Sequence, residues 1–130
     1  MSLQKNKRPK NLDLLHIRLP VGGVVSILHR VTGVLLVLAL PFGFLFFQRS
    51  LQSPEGFAHI TTLVASLPAR MLLFCVAVAL AHHFLAGIRH LLLDLDLGIS
   101  RDGGRLGAWL VLVGVAGVAV LVGGRLFIWP

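Results

Sequence analysis
The chain has 130 residues, 56% of them apolar and 13% charged, with 12 Lys and Arg against 5 Asp and Glu and a formal net charge of +7. Soluble domains carry about a quarter charged residues, so this balance excludes an ordinary soluble enzyme and defines a single-domain membrane protein. Each span takes about 20 residues, which leaves room for three helices and none for a soluble catalytic domain. The basic residues sit in the N-terminal tail and at helix ends, a pattern of membrane topology rather than of nucleic-acid binding.

Residues 1–23 read as a tail and interfacial segment. Lys5, Lys7, Arg8 and Lys10 make its first part polar, and no apolar run with a small-residue cleavage site follows promptly, so no signal peptide is expected. Leu12, Leu14, Leu15, Ile17 and Leu19 then suit an interfacial segment or a piece that docks on a soluble partner. Pro20, Gly22 and Gly23 are expected to break the chain before the first span.

Residues 24–130 form the transmembrane domain, with spans at about 24–47, 69–93 and 106–128. Ser26, His29, Arg30 and Gly33 fall at i, i+3, i+4 and i+7, one polar stripe on the first two turns of the first helix. Arg30 snorkelling to the headgroups, with Ser26 as a cap, is the plain reading. A hydroxyl, an imidazole and a guanidinium on one stripe also suit a carbonyl or a carboxylate, so a quinone headgroup and a haem propionate both fit. Residues 48–68 read as a loop turning at Ser53-Pro54-Glu55-Gly56, with His59 exposed in it.

The second span carries the most informative stretch, Ala79 to Asp94, where three histidines and Arg89 interrupt an apolar run. An ionisable group within a span costs about 2.5–3.5 kcal/mol for Arg or Lys at the bilayer centre, so such groups need partners, water or a ligand. His83, Gly87 and His90 share one helical face, and Gly87 leaves a notch where a flat ligand fits close to the backbone. A neutral imidazole can offer nitrogen to haem iron; a hydrogen bond to a neighbouring helix is the alternative for each. Cys75 is alone, which excludes an intrachain disulfide or a thiolate cluster, and it reads as a small packing residue. Arg101 to Arg105 read as a solvated turn. The third span is rich in Gly and Ala, which marks a packing helix, with Trp109 and Trp129 near its ends as interfacial aromatics.

By the positive-inside rule the N-terminus is cytoplasmic, which puts the Ser26/His29/Arg30 stripe and His90 on that side. His83 then lies about 10 Å deeper than His90, at 1.5 Å rise per residue. A haem sunk in the membrane with its propionates toward Arg30 fits this placement.

Five stretches carry a family resemblance: Arg8-Pro9-x-Asn11-Leu12-Asp13-Leu14, Ser26-Ile27-Leu28-His29-Arg30-x-Thr32-Gly33, Ser53-Pro54-Glu55-Gly56-Phe57, His83-x-x-x-Gly87-Ile88-Arg89-His90, and then Asp94. In this order they resemble the cytochrome b membrane anchors of bacterial succinate dehydrogenase, complex II of electron transport and the tricarboxylic acid cycle. The resemblance implies an all-α membrane protein, three transmembrane helices in a haem-binding bundle completed by a second, smaller anchor subunit. It implies an inner-membrane location and docking of a flavoprotein with FAD and an iron–sulfur subunit with its clusters. Such a chain does no chemistry on succinate but holds haem b and part of the ubiquinone-reduction site.

Carried over by motif, His83 is this chain's axial haem ligand, His29, Arg30, Gly87 and His90 belong to the haem pocket, and Ser26 and Arg30 line the quinone site. His82 stands where relatives commonly have tyrosine. Adjacent helical residues point about 100° apart, so only one of His82 and His83 can face the haem. The spacing to Gly87 favours His83, and His82 is then expected to face lipid or another helix with a hydrogen bond. A quinol:fumarate reductase anchor is the nearest alternative, and a haem-free structural anchor a more distant one.

Overall fold
In the computed structural model, which describes residues 19–128, the chain is helical almost throughout. Helix α1 is Val21–Gln52, α2 Pro54–Ala65, α3 Leu67–Asp94 and α4 Arg101–Gly123, the last running on into one π-helical turn at Gly124–Ile128. Three helices, α1, α3 and α4 with its π turn, are long and apolar enough to cross a membrane, as three apolar runs of this length require. The basic tail, the Arg8–Leu14 motif, the interfacial segment up to residue 18 and Trp129 lie outside the described residues.

Helix boundaries depart from the sequence reading in three places, for one physical reason: polar turn residues are also helix-start residues. Pro20 is extended and stands immediately before α1, which begins at Val21 rather than at 24, and the Pro20 carbonyl accepts from the Gly23 and Val24 N–H groups at 2.8 and 3.2 Å. Gly22 and Gly23 lie inside the first turn. The expected loop after the first span is instead the end of α1 followed by α2. Ser53 caps α2, its Oγ accepting from the Gly56 N–H at 3.0 Å, with Pro54 in the first turn. Hydrogen bonds from its own backbone N–H and, second, from Ser53 hold the Glu55 carboxyl below its ordinary pKa.

Likewise Arg101 to Arg105 are not a turn but the start of α4, capped by Ser100, whose Oγ accepts from Gly103 N–H at 3.1 Å. Asp102 in that first turn complements the helix dipole. The chain reverses just before, where Asp96 and Gly98 take φ of 60° and 77°, a region Gly enters freely and Asp tolerates.

Little of this chain is buried within itself. Val25, Ala86, Ala108 and Val111 form the apolar core where α1, α3 and α4 meet, while Phe42, Phe44 and Phe47 along α1 are more than half exposed. Hydrocarbon solvates such side chains as well as a protein core does, so membrane helices associate through close packing of small residues. The glycines of α4 do this against α3: a Cβ at Gly107, Gly114 or Gly123 would meet Arg89, Leu85 or Phe74. The third span is the packing helix its composition announces. Cys75, by contrast, is exposed on α3 rather than packed inside.

The α1–α2 elbow tolerates no side chain at Gly56, where a Cβ would stand 2.5 Å from the Arg49 carbonyl oxygen. Gly56→Ala is expected to cost about 1–3 kcal/mol as the backbone shifts, whereas Gly43→Ala, with nothing within 4 Å, should stay within about 0.5 kcal/mol. Thermal unfolding of the detergent-solubilised protein compares the two; equal midpoints would refute the tight elbow.

Candidate functional site
Two helices carry the same short pattern, His-x-x-x-Gly, at His29/Gly33 in α1 and His83/Gly87 in α3. Within each helix the two residues lie one turn apart on one face. Where α1 and α3 cross, each imidazole enters the other helix's glycine notch. A Cβ on Gly33 would stand 3.0 Å from His83 Cε1 and 3.3 Å from its Nδ1, and one on Gly87 would stand 3.4 Å from His29 Nε2. The Gly87 notch therefore lies against the His29 imidazole.

The two rings stack at 4.3 Å between centroids and 10° between planes. His83 Nδ1 lies 3.1 Å from the backbone carbonyl of His29, so Nδ1–H donates to it and Nε2 is the nitrogen left to carry a lone pair. Thr32 Oγ1 also contacts that carbonyl, at 3.0 Å, and reaches the Leu28 carbonyl at 2.8 Å. His90 stands on the other side, 5.1 Å from His29 and tilted by 50°. Parallel rings cannot converge their in-plane nitrogens on one ion. Among the described residues no group of three or more His, Cys, Asp or Glu could hold a metal ion.

Beside the imidazole pair runs a groove of about 440 Å³, open toward the outside of the bundle, lined by His29, Arg30, Gly33, Val34, Leu38 and His83 among others. Arg30 is exposed at this groove and Ser26, half-buried, lies one turn before it. The polar stripe of α1 thus divides: His29 and Gly33 turn to α3 while Arg30 stays with the open face. Val34, Val37 and Leu38 escaped the sequence reading as site residues. They continue the Arg30 row at i+4, i+7 and i+8, but valines and leucines carry no signal on a helix that is apolar all round.

His82 departs from expectation. It is 5% exposed, one turn before the fully buried Ala86 on the same face, and among the described residues neither ring nitrogen has a hydrogen-bond partner. Of the two expected settings, lipid or another helix, it takes the second, enclosed in the bundle, but without the expected hydrogen bond. Arg89 follows on the same face, its Nη2 donating to the Gly104 carbonyl of α4 at 3.1 Å.

Fold and site together define a multi-pass membrane protein that presents one braced imidazole and one arginine to an open apolar groove. Residues 4–123 match the family of succinate dehydrogenase/fumarate reductase transmembrane subunits, and the chain belongs to that family. It is 36% identical over 124 residues to the succinate dehydrogenase cytochrome b556 subunit of Coxiella burnetii, covering 95% of this chain and 98% of the relative. Relatives of the same name in Paracoccus denitrificans and Rickettsia felis are 29% and 31% identical, over 92% and 83% of this chain and 92% and 84% of theirs.

Proposed function
We propose that this chain is the cytochrome b anchor of a succinate:quinone oxidoreductase, holding haem b with a second anchor subunit and forming part of the ubiquinone-reduction site. Its relatives are named as cytochrome b556 subunits of succinate dehydrogenase, which favours this direction over fumarate reduction. The observation that carries the reading is the bond from His83 Nδ1 to the His29 carbonyl. Histidines that ligate metals almost always donate their second nitrogen in this way, which fixes the tautomer and raises the basicity of the first.

The residues present fit the haem. His83 Nε2 would hold the haem iron, and the Gly33 cradle, which a Cβ would fill, lets that ring sit against α1. Stacked on it, His29 holds its plane, and His90 and Gly87 keep His29 in place. Bound haem supplies a one-electron redox centre whose potential its axial ligands and burial set. The protein supplies an apolar groove and the Arg30 cation, suited to a propionate or to charge gathering on a quinone oxygen. The Ser26 hydroxyl, one turn before Arg30 on α1, would hydrogen-bond the quinone ring oxygen.

In the assembled enzyme the flavoprotein oxidises succinate and the iron–sulfur subunit carries electrons to this site, with the N-terminus of this chain in the cytoplasm of a bacterial cell. A dithionite-reduced minus oxidised spectrum of membranes expressing the whole complex tests the reading: a b-type band is expected. Its complete absence would leave a structural anchor.

A further inference from the structure
At the end of the bundle where α1 begins, a second cavity of about 490 Å³ lies between α1, α3 and α4. Arg89, Arg101 and Arg105 line it with Ser100 and Trp109, and among the described residues no carboxylate stands on its wall. Arg89 is wedged between two helices: a Cβ on Gly22 would lie 3.1 Å from its Nη2 and one on Gly107 3.5 Å from its Nε. Its hydrogen bond to the Gly104 carbonyl uses one donor, and its buried Nε has no partner among the described residues. Asp94, Asp96 and Asp102, the acidic groups nearest in sequence, are all exposed and absent from the lining.

We propose that this cavity binds the phosphate headgroup of an anionic phospholipid. Three guanidiniums around an apolar-floored cavity present many donors and no acceptor, which calls for an anion. What selects a lipid is the order of residues down α4. Arg101, Arg105 and Trp109 follow at i, i+4 and i+8, and the exposed Val113 continues the row. Guanidiniums, then a half-exposed indole, then aliphatic surface reproduce the order of phosphate, interface and acyl chain in a lipid. Basic pockets between transmembrane helices bind such headgroups. An acidic segment of a soluble protein would use the arginines but not the apolar row below them.

The test uses the complex purified with its partner subunits, stripped of lipid in mild detergent and returned to phosphatidylcholine vesicles with or without phosphatidylglycerol. Native mass spectrometry should find phosphatidylglycerol retained by the wild type and by R101K/R105K. Retention by R101Q/R105Q should fall about thirtyfold, from about tenfold per 1.4 kcal/mol and about 1 kcal/mol per arginine. Should that variant fail to assemble, heat inactivation of the wild type in the two vesicles decides, with greater stability expected where phosphatidylglycerol is present. Equal retention by R101Q/R105Q, or equal stability in both vesicles, would overturn the proposal. So would equal stabilisation by inorganic phosphate alone, which marks a free-anion site, or release of the soluble subunits from R101Q/R105Q with lipid retention unchanged, which marks an acidic protein segment.

Discussion
Replacing His83 with Ala is expected to abolish or sharply weaken the b-type band in the reduced-minus-oxidised spectrum of the complex. His83 is the imidazole whose Nδ1 is committed to a backbone carbonyl, at 3.1 Å, while its ring borders the open groove. On the proposed reading, only a ligand from the second anchor would then remain. Gly33→Val is a subtler version of the same experiment. It leaves His83 in place but drives branched carbons into a ring already within 3.0–3.3 Å of where a Cβ would stand. Disturbing what orients a metal ligand typically costs 10–100-fold in affinity, so a weakened, shifted band is expected rather than none. His82→Ala should leave the band in place, because His82 lies on the Ala86 face and is buried in the bundle. A band unchanged in His83→Ala and lost in His82→Ala would transfer the ligand to His82.

The Arg30→Leu variant is expected to slow quinone reduction by about 10²–10³-fold, the usual loss when a preorganised donor to a developing oxyanion is removed. Succinate oxidation with a water-soluble artificial acceptor should persist, since on the proposed reading that electron leaves before reaching this chain. Arg30 suits such a role because it is exposed on the groove while His29, its neighbour in the chain, is taken up by the stack with His83. Loss of both activities would indicate failed assembly. Undiminished quinone reduction would remove Arg30 from the quinone site, leaving it a propionate or headgroup contact.

Much of this was legible from the chain alone. Three apolar runs of span length can only be helices in hydrocarbon, where each backbone polar group must be satisfied within its own segment. The histidines and arginines among them stand out because charge is costly there, which is why Ser26, His29, Arg30, His83 and His90 could be singled out by spacing. Helix starts were misread at Ser53-Pro54 and Ser100-Arg101, because a capping serine and a turn serine are the same residue until the following N–H groups point at its oxygen.

Tertiary structure decided the rest: Gly33 and Gly87 each seat the other helix's imidazole, His83 is braced by a carbonyl 54 positions earlier in the chain, and His82 is enclosed without a hydrogen-bond partner among the described residues. Periodicity within one helix assigns residues to a face. It carries no information about the rotation and height at which a second helix meets that face, and those are set by how closely two backbones approach at their glycines.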